Sequence, residues 1–232
     1  MTSNYNKKIL ILYEKGSKTG LGHLNRSKIL YENLKRKYKN LRRININKTN
    51  LKYIKKFNYY ILDLKNYENR YKKFFLNNKI KILSIDNFQN NYSKANVGVI
   101  DHNKNLNNIR YAGLEFSIIN SKLNKNQKFQ NNSFFIFLGG SFKKKNQIKK
   151  LIINLSRYNY KIFISSYNKL ISLKNKNITI ANKKNWVTYF KKAEFCVLNC
   201  GVTLLEALYM KKKCFVLPQN IYEKNFSNFL IK

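Results

Sequence analysis

A chain of 232 residues is long enough for one large α/β domain or two small ones, each with a core of its own. Its 47 Lys and Arg face only 10 Asp and Glu, a formal charge of +37, yet no apolar run approaches the 18 or so residues that cross a membrane. The excess is nearly all Lys, scattered among Asn, Ile and Tyr as an A/T-rich genome would scatter it. It forms no single basic stripe interleaved with aromatics, so a specific nucleic-acid partner is not expected, only a general attraction to anions.

The polar start, residues 1–8, leads into Ile9-Leu10-Ile11-Leu12, which is too short for a secretory core and has no cleavage site behind it. The cytoplasm is the expected compartment, and peripheral contact with a membrane stays open. Residues 9–13 read as the first strand. A glycine-rich stretch follows, and then helical spacing over 24–37. Further strands are expected at 59–62, 80–85 and 97–100. The polar stretch 121–132 (SKLNKNQKFQNN) has no periodicity and reads as a linker between domains 1–122 and 133–232. Strands at 134–138, 161–165, 177–180, 195–198 and 214–217 follow, with a helix at 146–155. Most of these strands are continuous apolar runs without period-2 alternation, as expected for strands buried on both faces of a parallel sheet. Repeated β-α units imply two Rossmann-like halves with ligand sites at the carboxyl ends of their strands, and a cleft between the halves. Cys196, Cys200 and Cys214 fit reduced thiols in buried strands rather than a zinc site.

Three motifs carry chemistry. After the first strand comes Gly16-Ser17-Lys18-Thr19-Gly20-Leu21-Gly22-His23-Leu24-Asn25-Arg26, where a strand must turn into a helix. Its glycines let backbone approach a ligand, and the helix start favours negative charge. His23 stands at that start with Arg26 one turn on, where positive charge is disfavoured and the neutral imidazole needed by a general base is favoured. A tight turn with a solvent-facing His fits the same residues. The second motif, Leu138-Gly139-Gly140-Ser141, is either a phosphate cradle or a plain β-turn. In the third, Asn199-Cys200-Gly201-Val202-Thr203-Leu204-Leu205-Glu206, Thr203 and Glu206 have the spacing of a capping box. Alternatively the amides of Gly201, Val202 and Thr203 hold a diphosphate while Glu206 accepts both hydroxyls of a ribose. His102 reads as part of a polar loop, and Trp186 stands near a helix start without a functional reading.

In order along the chain, these motifs resemble a known family. The carriers are GxGHxxR at 20–26, Asp63 in YYILDLKNY, Asp86 in ILSIDNF, Gly113-Leu114-Glu115-Phe116, Gly139-Gly140-Ser141, and GVTLLEAL with Pro218 after it. The chain is similar to the UDP-sugar hydrolases of pseudaminic-acid biosynthesis and the related spore-coat-polysaccharide-type glycosyltransferases. Both are relatives of the peptidoglycan GlcNAc transferase, whose fold is GT-B. The resemblance implies an α/β GT-B-like fold of two facing Rossmann-like domains, the second shortened at its C-terminal end, because the family continues past Pro218 further than Lys232. It implies that His23 activates water against the anomeric carbon of a UDP-linked diacetamido-trideoxyhexose, releasing UDP with inversion for surface-glycan biosynthesis. Gly20, Gly22 and Arg26 would lie on the substrate and phosphate side. UDP would be held by Gly140, Ser141, Gly201, Val202, Thr203 and Glu206. No metal and no cofactor are implied, and the partner is the small-molecule UDP-sugar. The same base would serve transfer to an acceptor hydroxyl, and a nucleotide-sugar-binding protein with little catalysis is a further alternative. Phe142 stands where the family places Asp after GGS, and Asn87 stands where it pairs a second acid with Asp86.

Overall fold

A computed structural model describes residues 7–15, 22–64, 69–77, 80–86, 95–99, 109–120, 122–123, 128–139, 145–165, 175–182 and 184–231. The chain divides into two compact units, Met1–Ile118 and Ile119–Lys232.

The first unit is a six-stranded parallel sheet. Its strands are β1 (Ile9–Tyr13), β2 (Leu41–Asn45), β3 (Tyr59–Asp63), β4 (Lys81–Ile85), β5 (Ala95–Gly98) and β6 (Ile109–Ala112), in the spatial order β2-β1-β3-β4-β5-β6. Helices α1 (Gly22–Leu34), α2 (Leu51–Ile54) and α3 (Asn69–Asn77) connect them. Both faces of the central strands are covered. Leu10, Leu12, Tyr60, Leu62 and Ile82 pack with Ile54, Tyr71 and Phe75 on one side. Ile9, Ile11, Ile61 and Ile85 pack with Leu30, Tyr31 and Leu34 of α1 on the other. This two-sided burial is why these strands read as unbroken apolar runs.

The second unit repeats the plan with five parallel strands. They are β7 (Gln130–Phe137), β8 (Lys161–Ser165), β9 (Ile178–Ala181), β10 (Ala193–Leu198) and β11 (Lys213–Val216), in the order β11-β10-β7-β8-β9. Helix α4 (Lys145–Arg157) covers one face through Ile148 and Ile152. On the other face lie α5 (Trp186–Lys192), α6 (Val202–Tyr209) and α7 (Ile221–Ile231), through Phe190, Leu204, Ala207, Phe226 and Leu230. Lys212 is 5% exposed and closes the end of α5: its Nζ donates to the carbonyls of Lys191 (3.1 Å) and Ala193, and lies 3.9 Å from the centre of the Phe129 ring. Burial pulls its ammonium down to about 8, and the helix-end carbonyls and the ring face offset part of that cost.

Two strands, β2 and β6, are absent from the sequence reading. Each is an outer strand of the first sheet: β2 carries Arg42 and Arg43 in place of an apolar run, and in β6 Ile109 and Tyr111 are exposed. The strand expected at 97–100 lies instead at Ala95–Gly98, and the one expected at 177–180 lies at Ile178–Ala181. Part of the stretch read as a linker belongs to the second unit: Leu123 is buried in its core, and β7 already begins at Gln130. Cys200 is not in a strand but in the turn ahead of α6. Cys196 and Cys214 are register partners on β10 and β11, and all three thiols are free.

Candidate functional site

Both sheets have a topological switch point, where neighbouring strands send their connections to opposite faces and leave a crevice at their carboxyl ends. In the first unit it lies between β1 and β3, and Tyr13 pairs with Asp63 there. The loop after β1 delivers α1, whose second residue is His23. The last residue of β3 is Asp63.

These residues meet. His23 Nδ1 lies 2.6 Å from Asp63 Oδ1. Arg26, one turn further along α1, donates from Nε to Asp63 Oδ2 (3.0 Å), from Nη2 to Asp63 Oδ1 (2.5 Å) and from Nη1 to Asp86 Oδ2 at the end of β4. Asp63 is fully buried. Burial alone would raise its carboxyl, but the Arg26 charge and the hydrogen bonds from His23 and Arg26 outweigh burial and hold it below the usual range. An ionised Asp63 needs a donor, so Nδ1 carries a proton, and in the neutral imidazole Nε2 then holds the lone pair. That is the arrangement of an oriented general base. A second bracket steadies the same helix: Arg43 of β2 donates to Ser27 Oγ (2.9 Å) and the Leu24 carbonyl (2.8 Å), with its guanidinium 4.1 Å from the centre of the Tyr13 ring.

Of the residues expected here from the sequence, His23, Gly22 and Arg26 are at the head of α1. Gly20 lies outside the described residues, as do Asp101 and His102. Arg26 spends its donors on two carboxylates, so its visible task is to bind them. In the sequence, Asp63 and Asp86 stand out only as carriers of the resemblance. Their position at the carboxyl ends of adjacent parallel strands was the signal that could have assigned them roles.

In the second unit the switch point lies between β7 and β10, and Gly139 and Gly201 follow these two strands. Gly139 has φ +75, a left-handed backbone that favours glycine, and a Cβ there would lie 3.3 Å from Asn199 Nδ2, a tight contact. Gly140 and Ser141 lie outside the described residues. Gly201, extended and with its amide on the Asn199 carbonyl (3.0 Å), precedes α6 as its N-cap without a side-chain cap. The next amides, of Val202 and Thr203, leave the helix without an intrahelical acceptor.

The capping box expected at Thr203 and Glu206 does not form. The helix starts one residue before Thr203, which places Thr203 inside the first turn and Glu206 in the second. Glu206 is 5% exposed, and burial pushes its carboxyl up to about 7 despite a hydrogen bond from the Asn120 amide. A side-chain cap stands instead at Asn220, at the head of α7, with Glu223 reaching back to the amide before it. Asn220 Oδ1 accepts from the Glu223 amide (2.9 Å), and Glu223 Oε2 accepts from the Gln219 amide (2.8 Å). Glu223 Oε1 also accepts from Asn199 Nδ2 (3.2 Å), tying the side chain that lies against Gly139 to this helix.

The solved structure of Acinetobacter baumannii MurG matches 96% of this chain and 82% of its own, with TM-score 0.56 at 12% identity. The fold is GT-B-like. Escherichia coli heptosyltransferase WaaC with ADP is also similar, covering 96% of each chain, with TM-score 0.37 at 6% identity. No protein-family model and no curated protein matches the sequence. Among the described residues no helix is long and apolar enough to cross a membrane.

Proposed function

We propose that the protein is an inverting glycosyltransferase of surface-polysaccharide biosynthesis that uses a UDP-sugar, with His23 as its general base. The observation that carries this is the 2.6 Å hydrogen bond between His23 Nδ1 and the buried Asp63 carboxylate. Nε2 takes the proton of an acceptor hydroxyl as its oxygen attacks the anomeric carbon. The bond from that carbon to the diphosphate breaks, and UDP leaves with the electron pair from the opposite face. In the second unit, the turns at Gly139-Gly140-Ser141 and Gly201-Val202-Thr203 offer main-chain amides to the diphosphate, and Glu206 takes the ribose hydroxyls. The GT-B-like fold supports transfer as the main reading.

The test is nucleotide release from UDP-, GDP- and CMP-sugars, with and without sugar acceptors, for wild type and His23→Ala. UDP release that needs an acceptor and falls about 10²–10⁴-fold in His23→Ala is expected. Free sugar formed without any acceptor would give the attacking role to water, the hydrolase reading. Release unaltered by His23→Ala would remove the base, and release confined to CMP-sugars would overturn the nucleotide.

A further inference from the structure

The two carboxylates on Arg26 are in opposite situations. Asp63 has no exposed side-chain surface, and both of its oxygens are taken, Oδ1 by His23 and Arg26 and Oδ2 by Arg26. The Asp86 side chain is 39% exposed, and only its Oδ2 is held, by Arg26 Nη1. Among the described residues nothing donates to Asp86 Oδ1. The main chain that presents it is fixed: the Asp86 amide donates to the Val97 carbonyl (2.9 Å), and φ is +50, a left-handed conformation that turns the side chain out of the strand's alternation. Glycine or asparagine would fit that backbone equally well, so the local fold does not call for a charge.

Charge narrows what could meet this oxygen. The whole chain has only 10 Asp and Glu, and two of them share one guanidinium beside His23. Among the described residues Arg26 is the cation that touches both carboxylates, and Asp86 Oδ1, an acceptor, suits a neutral hydrogen-bond donor rather than a phosphate oxygen, which can only accept. We propose that Asp86 is a specificity-determining residue whose Oδ1 accepts a hydrogen bond from a hydroxyl or amide N–H of the sugar. The inference rests on the nucleotide-sugar reading and adds which part of that ligand the first unit reads. The sugar is selected here by its donors, while the nucleotide is held elsewhere.

Calorimetric titration of the full chain with UDP and with UDP-N-acetylglucosamine tests it, on wild type, Asp86→Asn and Asp86→Gly. Wild type should bind the sugar nucleotide more tightly than UDP. Asp86→Gly should lose at least tenfold of its affinity for UDP-N-acetylglucosamine and keep its affinity for UDP within twofold. Asp86→Asn, which retains an acceptor oxygen, should lie between. Melting temperatures within a few degrees of wild type are expected, because glycine and asparagine both accept the left-handed backbone. Equal wild-type affinity for the two ligands, unchanged affinity in both variants, or equal weakening of both ligands would overturn the inference. Failure of wild type to bind either ligand would instead overturn the proposed function beneath it.

Discussion

Asp63 is a buried charge that is tolerated because Arg26 and His23 satisfy it, and the consequences of disturbing that balance have definite signs. Its folded carboxyl titrates below the ordinary 3.8, so it contributes stability that is complete above the unfolded value and is lost as pH falls through the folded one. Arg26→Ala removes the first cause of the lowering and leaves burial to dominate. Urea denaturation should then show a loss of about 3–5 kcal/mol at pH 7 and a stability that declines, rather than rises, as the pH passes above the ordinary carboxyl value. Asp63→Asn should keep the fold but present an amide N–H to Nδ1, drive the imidazole proton to Nε2, and lower kcat about 10³-fold or more. Glu206 has the opposite sign. With its folded carboxyl raised to about 7 from 4.5, the folded state holds the extra proton between those values, so stability is lost as pH rises through that window. Glu206→Gln should therefore be the more stable protein at pH 8, by up to roughly 3 kcal/mol, with no advantage at pH 4. If Glu206 also takes the ribose hydroxyls, the same variant will bind UDP more weakly at both pH values.

At the scale of elements, the apolar central strands were legible because each is buried on both faces, whereas β2 and β6 were not because arginines interrupt their short apolar patterns, unlike the outer strands β9 and β11. In β2 the sequence Leu-Arg-Arg-Ile-Asn serves three tasks at once: Leu41 is core, Arg43 brackets α1, and Arg42 is exposed. No single periodicity survives that mixture. The capping signal was misplaced for a related reason. Thr203 and Glu206 have the right spacing, but Gly201 already supplies the cap, whereas Asn220 and Glu223 have the same spacing and use it. The two halves of that real cap can be separated. Asn220→Ala and Glu223→Ala should each cost about 1 kcal/mol, seen as a melting temperature lower by roughly 2–4 °C. Only Glu223→Ala also releases Asn199 from its place against Gly139, so it should weaken UDP binding more than Asn220→Ala does. Equal UDP affinities in the two variants would detach Asn199 from the nucleotide turns.

For the whole molecule, +37 of formal charge makes attraction to any polyanion unavoidable at low salt. Fluorescence anisotropy with a labelled oligonucleotide should show binding near 50 mM salt that collapses by several hundred millimolar, without competition from UDP. Binding that survived high salt would give nucleic acid a specific role. Each unit has its own core, so residues 119–232 expressed alone should fold and bind UDP without the base-bearing unit. The sequence by itself determined the alternation of strands and helices, the double-sided burial of the sheets and the glycine turns, because these follow from properties of neighbouring residues. Only the tertiary structure decided that His23 meets Asp63, 40 positions away, and that Arg26 reaches Asp86, 60 positions away. Strand order and register set those meetings, and in a parallel sheet they are settled by packing between segments that share no local signal.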